Sequence, residues 1–394
     1  MSNGGTEAGN GSFAPFRVSA FAVLWSATVL SNVGTWMMST GSAWLMTTLS
    51  PSVLMVSAVQ ASGSAPIFLF ALFAGALSDI FDRRKLLLAC QSLAAISAAG
   101  FALLVWSDAV SAPVLLAFTF AMATAAAFVA PPWQAIVPQL VPKPMLGQAI
   151  ALNSMGINVA RAIGPALAGL LIVTVGIAGP FVANAFSFLF ILAGLLWWRP
   201  ATAEKSGLAR EHVPGAIAGG LRFAANSIEL KAAIARAAGF FLFASAPMSL
   251  LPILAREALR GDAASYGILM AAIGIGAVSG AFVLPRLKKL SPSVRLLVGS
   301  ALASAGGAAM ALSASLELAI CACILFGLGW ILVLATLNTA AQMSLPDWVR
   351  ARGLALFTMV FSGAMMLGSL VWGAIALRIG VLSTAVRFQA IGAE

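Results

Sequence analysis

Few side chains in this 394-residue sequence could perform chemistry, and Arg161 is the most prominent of them. It is the only ionisable residue deep inside a long apolar run, where a charge in lipid normally faces a partner or a water-filled cavity. Arg161 could anchor an anionic or carbonyl-rich ligand, or belong to a gate. Alternatively, it could donate hydrogen bonds to carbonyl groups freed near Gly164 and Pro165, because proline has no N–H. The sequence leaves both interpretations open.

Other reactive groups are scarce. The only histidine is His212, in a polar central stretch, which argues against Ser–His hydrolysis and multi-histidine metal binding. No Gly-x-x-x-x-Gly-Lys-Ser/Thr sequence is present to cradle the phosphates of ATP, and no Asp or Glu lies in the middle of an apolar run. We therefore expect a protein that is not an enzyme and that holds no cofactor and no metal ion.

The composition indicates what surrounds these residues. Hydrophobic residues make up 61% of the chain and charged residues 9%, whereas a soluble domain carries about 25% charged residues. This excludes a secreted, disordered, fibrous or cytosolic protein and predicts an all-α polytopic membrane protein in contact with the lipid bilayer. The net charge of +10 does not indicate nucleic-acid binding, because the basic residues form short clusters between apolar runs.

The apolar runs predict eleven membrane spans after a flexible cytoplasmic tail at 1–16. The predicted spans are 18–46, 53–77, 86–106, 112–131, 148–175, 179–198, 233–254, 265–285, 294–313, 317–341 and 353–377. A twelfth would start near 381, but a helix rises only about 1.5 Å per residue and the 14 residues left before Glu394 cannot cross the bilayer. We therefore expect a truncated twelfth helix.

The basic residues predict the orientation of these spans. Of 22 Lys and Arg residues, 17 lie in or directly beside the tail, the loops after even-numbered spans and the central loop at 200–231. Only Arg256, Arg260 and Arg378 lie in the opposite loops. Because cytoplasmic loops are enriched in Lys and Arg, the N-terminus is predicted to be cytoplasmic, in a multi-pass protein of the inner or plasma membrane.

The sequence also contains an internal repeat. A shift of 204 residues places Pro142 on Pro346 and Met155 on Met359. It also places two glycines of the fifth span, Gly164 and Gly169, on Gly368 and Gly373 of the eleventh. Six spans separate the copies, so both enter the membrane in the same sense, and we expect two parallel six-helix bundles at 17–199 and 232–394.

The loop after the second span resembles the signature of the major facilitator superfamily. Gly75, Asp79, Arg83 and Arg84 match Gly-x-x-x-Asp-Arg-x-Gly-Arg-Arg, whereas Ile80 and Asp82 depart from it. The resemblance implies the major facilitator fold and a gate: Gly75 lets two helices approach closely, and Asp79 engages the start of the eleventh helix in one state. Near that start the chain offers two basic residues, Arg350 and Arg352.

The fifth span resembles a Gly-Pro motif of facilitator exporters. Its segment from Asn158 to Gly169 contains Arg161, Gly164 and Pro165, and the stretches at 266–280 and 342–353 also fit. Together they resemble the branch of enterobactin exporters and macrolide efflux proteins. For Gly164, Pro165 and Gly169 the resemblance implies a bending and gating role, and the alternative is ordinary packing of small residues in lipid.

In the facilitator fold the first, fourth, seventh and tenth helices line a central cavity. One face of the first span carries Trp25, Thr28, Asn32 and Trp36 at helical spacing. The resemblance directs this face toward substrate, and plain helix packing remains the alternative for each residue. The predicted substrate-binding residues are Asn32, Trp36, Asn158, Arg161, Phe243, Trp330 and Asn338. The tryptophans near span ends, among them Trp44, Trp106 and Trp198, are predicted to be interfacial anchors.

These patterns predict a monomeric secondary active efflux transporter that works by alternating access. Its substrate would be a bulky amphiphilic small molecule, a drug or a siderophore-like metabolite. Proton coupling is implied by the family, although no carboxylate carrier is evident within a span. The alternative is a receptor or assembly partner that keeps the transporter fold without transporting.

Overall fold

The computed structural model describes residues 11–199, 222–346 and 349–380. Within these ranges the chain forms eleven long helices, all of them long and apolar enough to cross a membrane, and no strand. The helices are α1 (Ser19–Leu49), α2 (Val53–Ile80), α3 (Arg83–Trp106), α4 (Ala112–Leu140), α5 (Leu146–Val175), α6 (Gly179–Trp197), α7 (Ile228–Ile253), α8 (Ala263–Val283), α9 (Pro292–Leu312), α10 (Leu316–Met343) and α11 (Arg350–Ile379). The eleven predicted spans are confirmed, and the start of a predicted twelfth lies outside the described residues.

Capping side chains set several helix starts. The Asp82 carboxylate accepts a hydrogen bond of 2.8 Å from the Lys85 N–H at the start of α3. Asp262 does the same for α8, where the N–H and the hydroxyl of Ser265 donate to its carboxylate over 2.9 and 2.8 Å. These hydrogen bonds lower the pKa of Asp262. Each cap satisfies an N–H that has no partner inside its helix.

Helix α4 continues further than the sequence analysis predicted. The predicted span ended at 131, but the helix runs on to Leu140 and contains Pro131, Pro132 and Pro138. Proline is tolerated in membrane helices because neighbouring groups satisfy the carbonyls that it leaves free, and its backbone φ angle suits a helix. In the last turns of α4, Arg83 Nη1 also donates to the Ala135 carbonyl over 3.5 Å.

Helix α7 begins within the predicted central loop and ends in an unusual turn. Ser227 caps its first turn by accepting from the Leu230 N–H over 3.2 Å, so residues 228–231, which include Glu229 and Lys231, are helical. After Ile253 the backbone widens into a π-helical segment, Leu254–Ala258. Residues 200–221 of the predicted loop lie outside the described part.

The surface of the helices suits a lipid environment. On α3, Leu93, Ile96 and Leu103 recur along one face and are 63%, 70% and 71% exposed. Large apolar side chains on the outside of a helix bundle are compatible with lipid, not with water. Together with eleven spans, this makes the chain a multi-pass membrane protein.

The helix packing repeats between the two halves of the chain. Helix α1 packs against α5, and α7 packs against α11 in the same way. The pairs α2–α4 and α3–α4 likewise correspond to α8–α10 and α9–α10. Between the halves, α5 packs on α8 and α11 packs on α2, which are again equivalent pairs. This is the pseudo-two-fold relation that the 204-residue repeat predicted.

The two ends of the bundle differ in charge. We call the end that carries Arg83, Arg84, Lys143 and Arg350 the basic end, and the other end, with Arg256 and Arg378, the opposite end.

Candidate functional site

The two bundles meet at glycines on α5. A Cβ built on Gly169 would lie 2.7 Å from the Ala263 carbonyl oxygen and 2.9 Å from the Ala264 Cα at the start of α8. A Cβ on Gly164 would lie 2.5 Å from the Trp36 Cβ of α1. Because real side chains do not approach so closely, glycine is required at both crossings. Gly164 therefore joins α5 to its own bundle, and Gly169 joins it to the other one.

The repeat reproduces both crossings on α11. A Cβ on Gly368 would overlap the Ser245 hydroxyl and the Leu242 carbonyl of α7, which is the equivalent of α1. A Cβ on Gly373 would lie 2.6 Å from the Ser57 Cβ of α2, which is the equivalent of α8. The sequence repeat thus corresponds to four matched contacts, two within the bundles and two between them.

Pro165 lies buried beside the inter-bundle crossing. Its carbonyl oxygen would be 2.5 Å from a Cβ on Gly267 of α8, so the two helices touch through main chain here. The described part therefore places the predicted gating residues Gly164, Pro165 and Gly169 together, along one stretch of α5.

A polar and aromatic contact closes the opposite end. Arg256, on the π-helical segment, donates from Nη1 to the carbonyl oxygen of Thr47 and to its hydroxyl, the latter over 3.0 Å. Thr47 lies in the last turn of α1, where free carbonyls and the helix dipole favour a cation. Nearby, the rings of Trp44 and Tyr266 stack with centroids 6.0 Å apart. We call these four residues the end clasp.

Sequence reasoning missed the end clasp. Trp44 was predicted to be an interfacial anchor, but it is buried between α1 and α8, and Trp198 is also buried, so both predictions are wrong. Trp106 is 76% exposed, as an anchor should be. A signal was available: Tyr266 is the only tyrosine, and Arg256 is one of few bases at this end. Each tryptophan was assigned from its position along a span, and position does not say which face meets another helix.

The basic end looks different. A Cβ on Gly75 meets nothing within 4 Å, so in this conformation the described residues bring no helix against it. The same is true of Gly147, at the start of α5. The side chain of Asp79 lies outside the described part, and the predicted engagement of α11 stays a prediction. Arg350 donates to the Leu345 carbonyl over 3.4 Å, and Arg352 is half-buried in the first turn of α11.

Arg84 caps a helix end. Its Nε and Nη2 donate to the carbonyls of Leu195 and Leu196, each over 2.8 Å, at the C-terminal end of α6. A guanidinium suits this position because the last carbonyls of a helix have no partner and carry partial negative charge. Arg83 reaches α4 instead, as described above. The two signature arginines thus bind α3 to its own bundle.

Arg161 lies near the middle of α5, over an aromatic ring. Its Cζ is 5.3 Å from the centroid of the Trp36 ring on α1. Its Nε is enclosed and has no hydrogen-bond partner within the described part. The structure thus brings together two predicted substrate-binding residues. The alternative interpretation, in which Arg161 donates to free carbonyls near Pro165, is not observed among the described residues.

The predicted asparagines are half-buried. The Asn158 amide donates to the Ser154 carbonyl of its own helix over 2.9 Å, and Asn338 accepts from the Gln342 amide over 3.3 Å. Asn32 lies one turn before Trp36 on α1. Asn32 and Asn338 sit on α1 and α10, which the resemblance directs toward the cavity, whereas Asn158 sits on α5.

The predicted aromatic residues pack into two groups. Trp330 of α10 contacts Phe241 of α7 with ring centroids 4.9 Å apart, and Phe361 of α11 joins them at 4.4 Å from Phe241. Phe243 packs instead on Trp372 of α11, at 5.7 Å. Trp330 and Phe243 therefore belong to different clusters, both against α11.

A groove of about 330 Å³ lies away from all these residues, beside the basic end of α5. It is lined by Phe13, Gly147 and Met155, among others, and by none of the predicted substrate-binding residues. Among the described residues, no three His, Cys, Asp or Glu side chains form a group that could hold a metal ion.

Two pseudo-symmetric bundles of membrane helices, joined at glycine crossings, are the architecture of the major facilitator fold. Residues 10–392 match the family described as transmembrane secretion effector, and the chain belongs to that family of the major facilitator superfamily. The predicted fold and family are confirmed.

Two known proteins illustrate the relationship. The staphyloferrin A transporter of Staphylococcus aureus is 26% identical over 268 residues, 67% of this chain and 66% of that protein. The enterobactin exporter EntS of Shigella boydii is 31% identical over 255 residues, 62% of this chain and 58% of that protein. The chain thus matches less than two thirds of the length of either relative.

A solved structure extends the fold match to almost the whole chain. A bacterial homologue of the human lysosomal transporter Spinster, in an inward-facing and unoccupied conformation, matches with a TM-score of 0.73 and 17% identity. The match covers 96% of both chains. At this identity the likeness concerns the fold alone.

Proposed function

We propose that this chain is a secondary active exporter that moves a bulky amphiphilic molecule out of the cytoplasm by alternating access. The observation that carries the proposal is the difference between its ends. The end clasp and the Gly169 crossing hold the bundles together at the opposite end, whereas at the basic end a Cβ on Gly75 meets no described atom within 4 Å. Rocking about the matched glycine crossings would exchange these arrangements.

The side of loading follows from charge. Most of the Lys and Arg residues lie at the basic end, and such residues favour the cytoplasm. A cavity that opens toward the cytoplasm is the arrangement in which an exporter takes up its substrate. The names of the relatives, a staphyloferrin A transporter and an enterobactin exporter, support a siderophore-like or drug-like substrate.

The aromatic residues support a partly apolar substrate. Trp36, Trp330 and Phe243 are only half-buried, and they lie on helices that the resemblance directs toward the central cavity. Aromatic faces beside a few polar groups suit a bulky ligand with both characters. We propose that these residues line its path together with Asn32, Asn158 and Asn338, and that the α5 glycines and the signature residues gate it.

The proposal includes proton coupling, which needs a group that carries the proton. Among the described side chains, no Asp or Glu lies in the middle of a span to carry a proton. The resemblance leaves Asp79, at the basic end, as the candidate for coupling. We expect Asp79→Asn to abolish any transport that depends on a proton gradient.

Transport can be measured with inverted membrane vesicles, whose former cytoplasmic face is outside. The probes are N-phenylnaphthylamine, anilinonaphthalene sulfonate, ethidium and enterobactin. We expect energised accumulation of at least one probe in wild-type vesicles and none in vesicles with Gly169→Leu, which would jam the inter-bundle crossing. Gly147→Ala, in open space, serves as the control. Accumulation of no probe above the Gly169→Leu level would reject transport and favour the receptor alternative.

A further inference from the structure

The Arg161 side chain is an unsatisfied donor at the middle of the membrane. Its Nε is enclosed, and within the described part no residue accepts a hydrogen bond from the guanidinium. A guanidinium carries five N–H donors and stays charged. The Trp36 ring beneath it offers attraction to the charge but no hydrogen-bond acceptor.

No described carboxylate is placed to neutralise this charge. The described acidic side chains all lie in loops or in the terminal turns of helical segments: Asp82, Asp108, Glu229, Glu257, Asp262 and Glu317. Helix α5 itself contains no acidic residue. A charge in lipid is retained when a partner or a ligand meets it, so the missing partner points to a ligand.

The position of Arg161 connects it to the movement of the bundles. The Arg161 side chain packs against Trp36 of α1. Its main-chain oxygen would be 3.2 Å from a Cβ on Gly274 of α8. Helix α8 belongs to the other bundle. A ligand bound to this guanidinium would therefore lie where the two bundles touch.

We propose, on the basis of the function proposed above, that the transported molecule binds as an anion, with its acidic group on Arg161. A carboxylate, sulfonate or phenolate oxygen would accept charge-assisted hydrogen bonds from the guanidinium, and an adjoining aromatic part would lie against Trp36. With a monoanion bound, the middle of the carrier becomes neutral. The inference thus selects the anion among the roles that the sequence left open for Arg161, and it adds a charge class to the bulky amphiphilic substrate proposed above.

The test uses two dyes that share their rings and differ by one acidic group, anilinonaphthalene sulfonate and N-phenylnaphthylamine. Dissociation constants are measured by fluorescence titration of the protein in lipid nanodiscs, with empty nanodiscs as the blank. Arg161→Gln should weaken sulfonate binding by about tenfold or more, which corresponds to loss of one charge-assisted interaction. Binding of the uncharged dye should stay unchanged, and Arg161→Lys should fall between.

Arg236→Gln is the matched control, because Arg236 is exposed on α7 and undergoes the same chemical change. It should bind the sulfonate as the wild type does. Equal sulfonate affinity in the wild type and Arg161→Gln would overturn the proposal, as would sulfonate binding no stronger than the blank. Melting temperatures establish that each variant is folded.

If Arg161→Gln does not fold, the wild type alone decides. Chloride should compete with the sulfonate and weaken its binding, while leaving the uncharged dye unaffected; an equal response of both dyes would reject an anion site.

The outcomes also separate the anion-site proposal from the exporter proposal. Transport without sulfonate selectivity leaves the exporter proposal standing and removes the anion site. Binding through Arg161 without transport of any probe supports the anion site and rejects the exporter proposal.

Discussion

At the scale of single residues, chemistry alone did not decide between gating and structural roles. Arg84 matches a signature that implies a gate, yet its guanidinium donates to the last carbonyls of α6. The sequence shows Arg84 and the end of the sixth span, but it does not show that they meet, because Leu195 is more than a hundred residues away from Arg84 in the chain. Arg161 was identified from its type and depth, since a lone charge in an apolar run is visible without a structure.

Replacing Arg84 separates the two roles. Arg84→Gln removes two hydrogen bonds from a partly exposed helix end, and we expect it to destabilise the protein by about 1–2 kcal/mol. The measurement is thermal or denaturant unfolding in detergent, with Lys143→Gln, an exposed base at the same end, as the control. Unchanged stability combined with lost transport would instead indicate a gating role.

At the scale of elements, the sequence predicted which segments cross the membrane, and packing decided where they end. Hydropathy located all eleven helices. It ended α4 at 131, whereas the helix continues through Pro131, Pro132 and Pro138 to Leu140. The polar first turn of α7 is similar, since a capping serine at 227 extends a helix that apolar content alone would start later. The π-helical segment has no sequence pattern of its own, and the end clasp is marked in the sequence only by the single tyrosine and by a base at the opposite end.

The inter-bundle crossing of α5 and α8 gives a prediction at this scale. Gly169→Ala places a methyl group against main-chain atoms of Ala263 and Ala264 that cannot rotate away, so we expect a loss of about 1–3 kcal/mol. Gly147→Ala should cost nothing, because the added methyl meets open space. Melting temperatures of the two variants give the comparison. Equal values would mean that the crossing is looser than the structure indicates.

At the scale of the whole molecule, the fold was predictable because the sequence shows its internal repeat in two ways, in the aligned residues and in the six spans that separate the copies. The 204-residue shift aligned the glycines, and the structure places the aligned pairs in equivalent contacts. The conformation was not predictable. Which end is closed depends on long-range contacts such as that between Thr47 and Arg256, and no local pattern records them.

The end clasp predicts how the whole molecule should respond to cross-linking. A background without cysteines is made by replacing Cys90, Cys321 and Cys323 with serine. Introducing Thr47→Cys and Arg256→Cys there, and bridging them with a short bismaleimide, should stop transport by holding the opposite end shut. Each single-cysteine variant, treated in the same way, is the control. Undiminished transport by the bridged protein would mean that this end does not open during the cycle.

The matched crossings have a consequence for how such a carrier could arise. Helix α5 of the first half meets α8, the counterpart of α2, and α11 meets α2 itself. The first half thus already contains both helices of the inter-bundle contact, α5 and α2. Two copies of a six-helix ancestor could have associated as an isologous homodimer without any new surface, and gene fusion would then have made the pairing permanent.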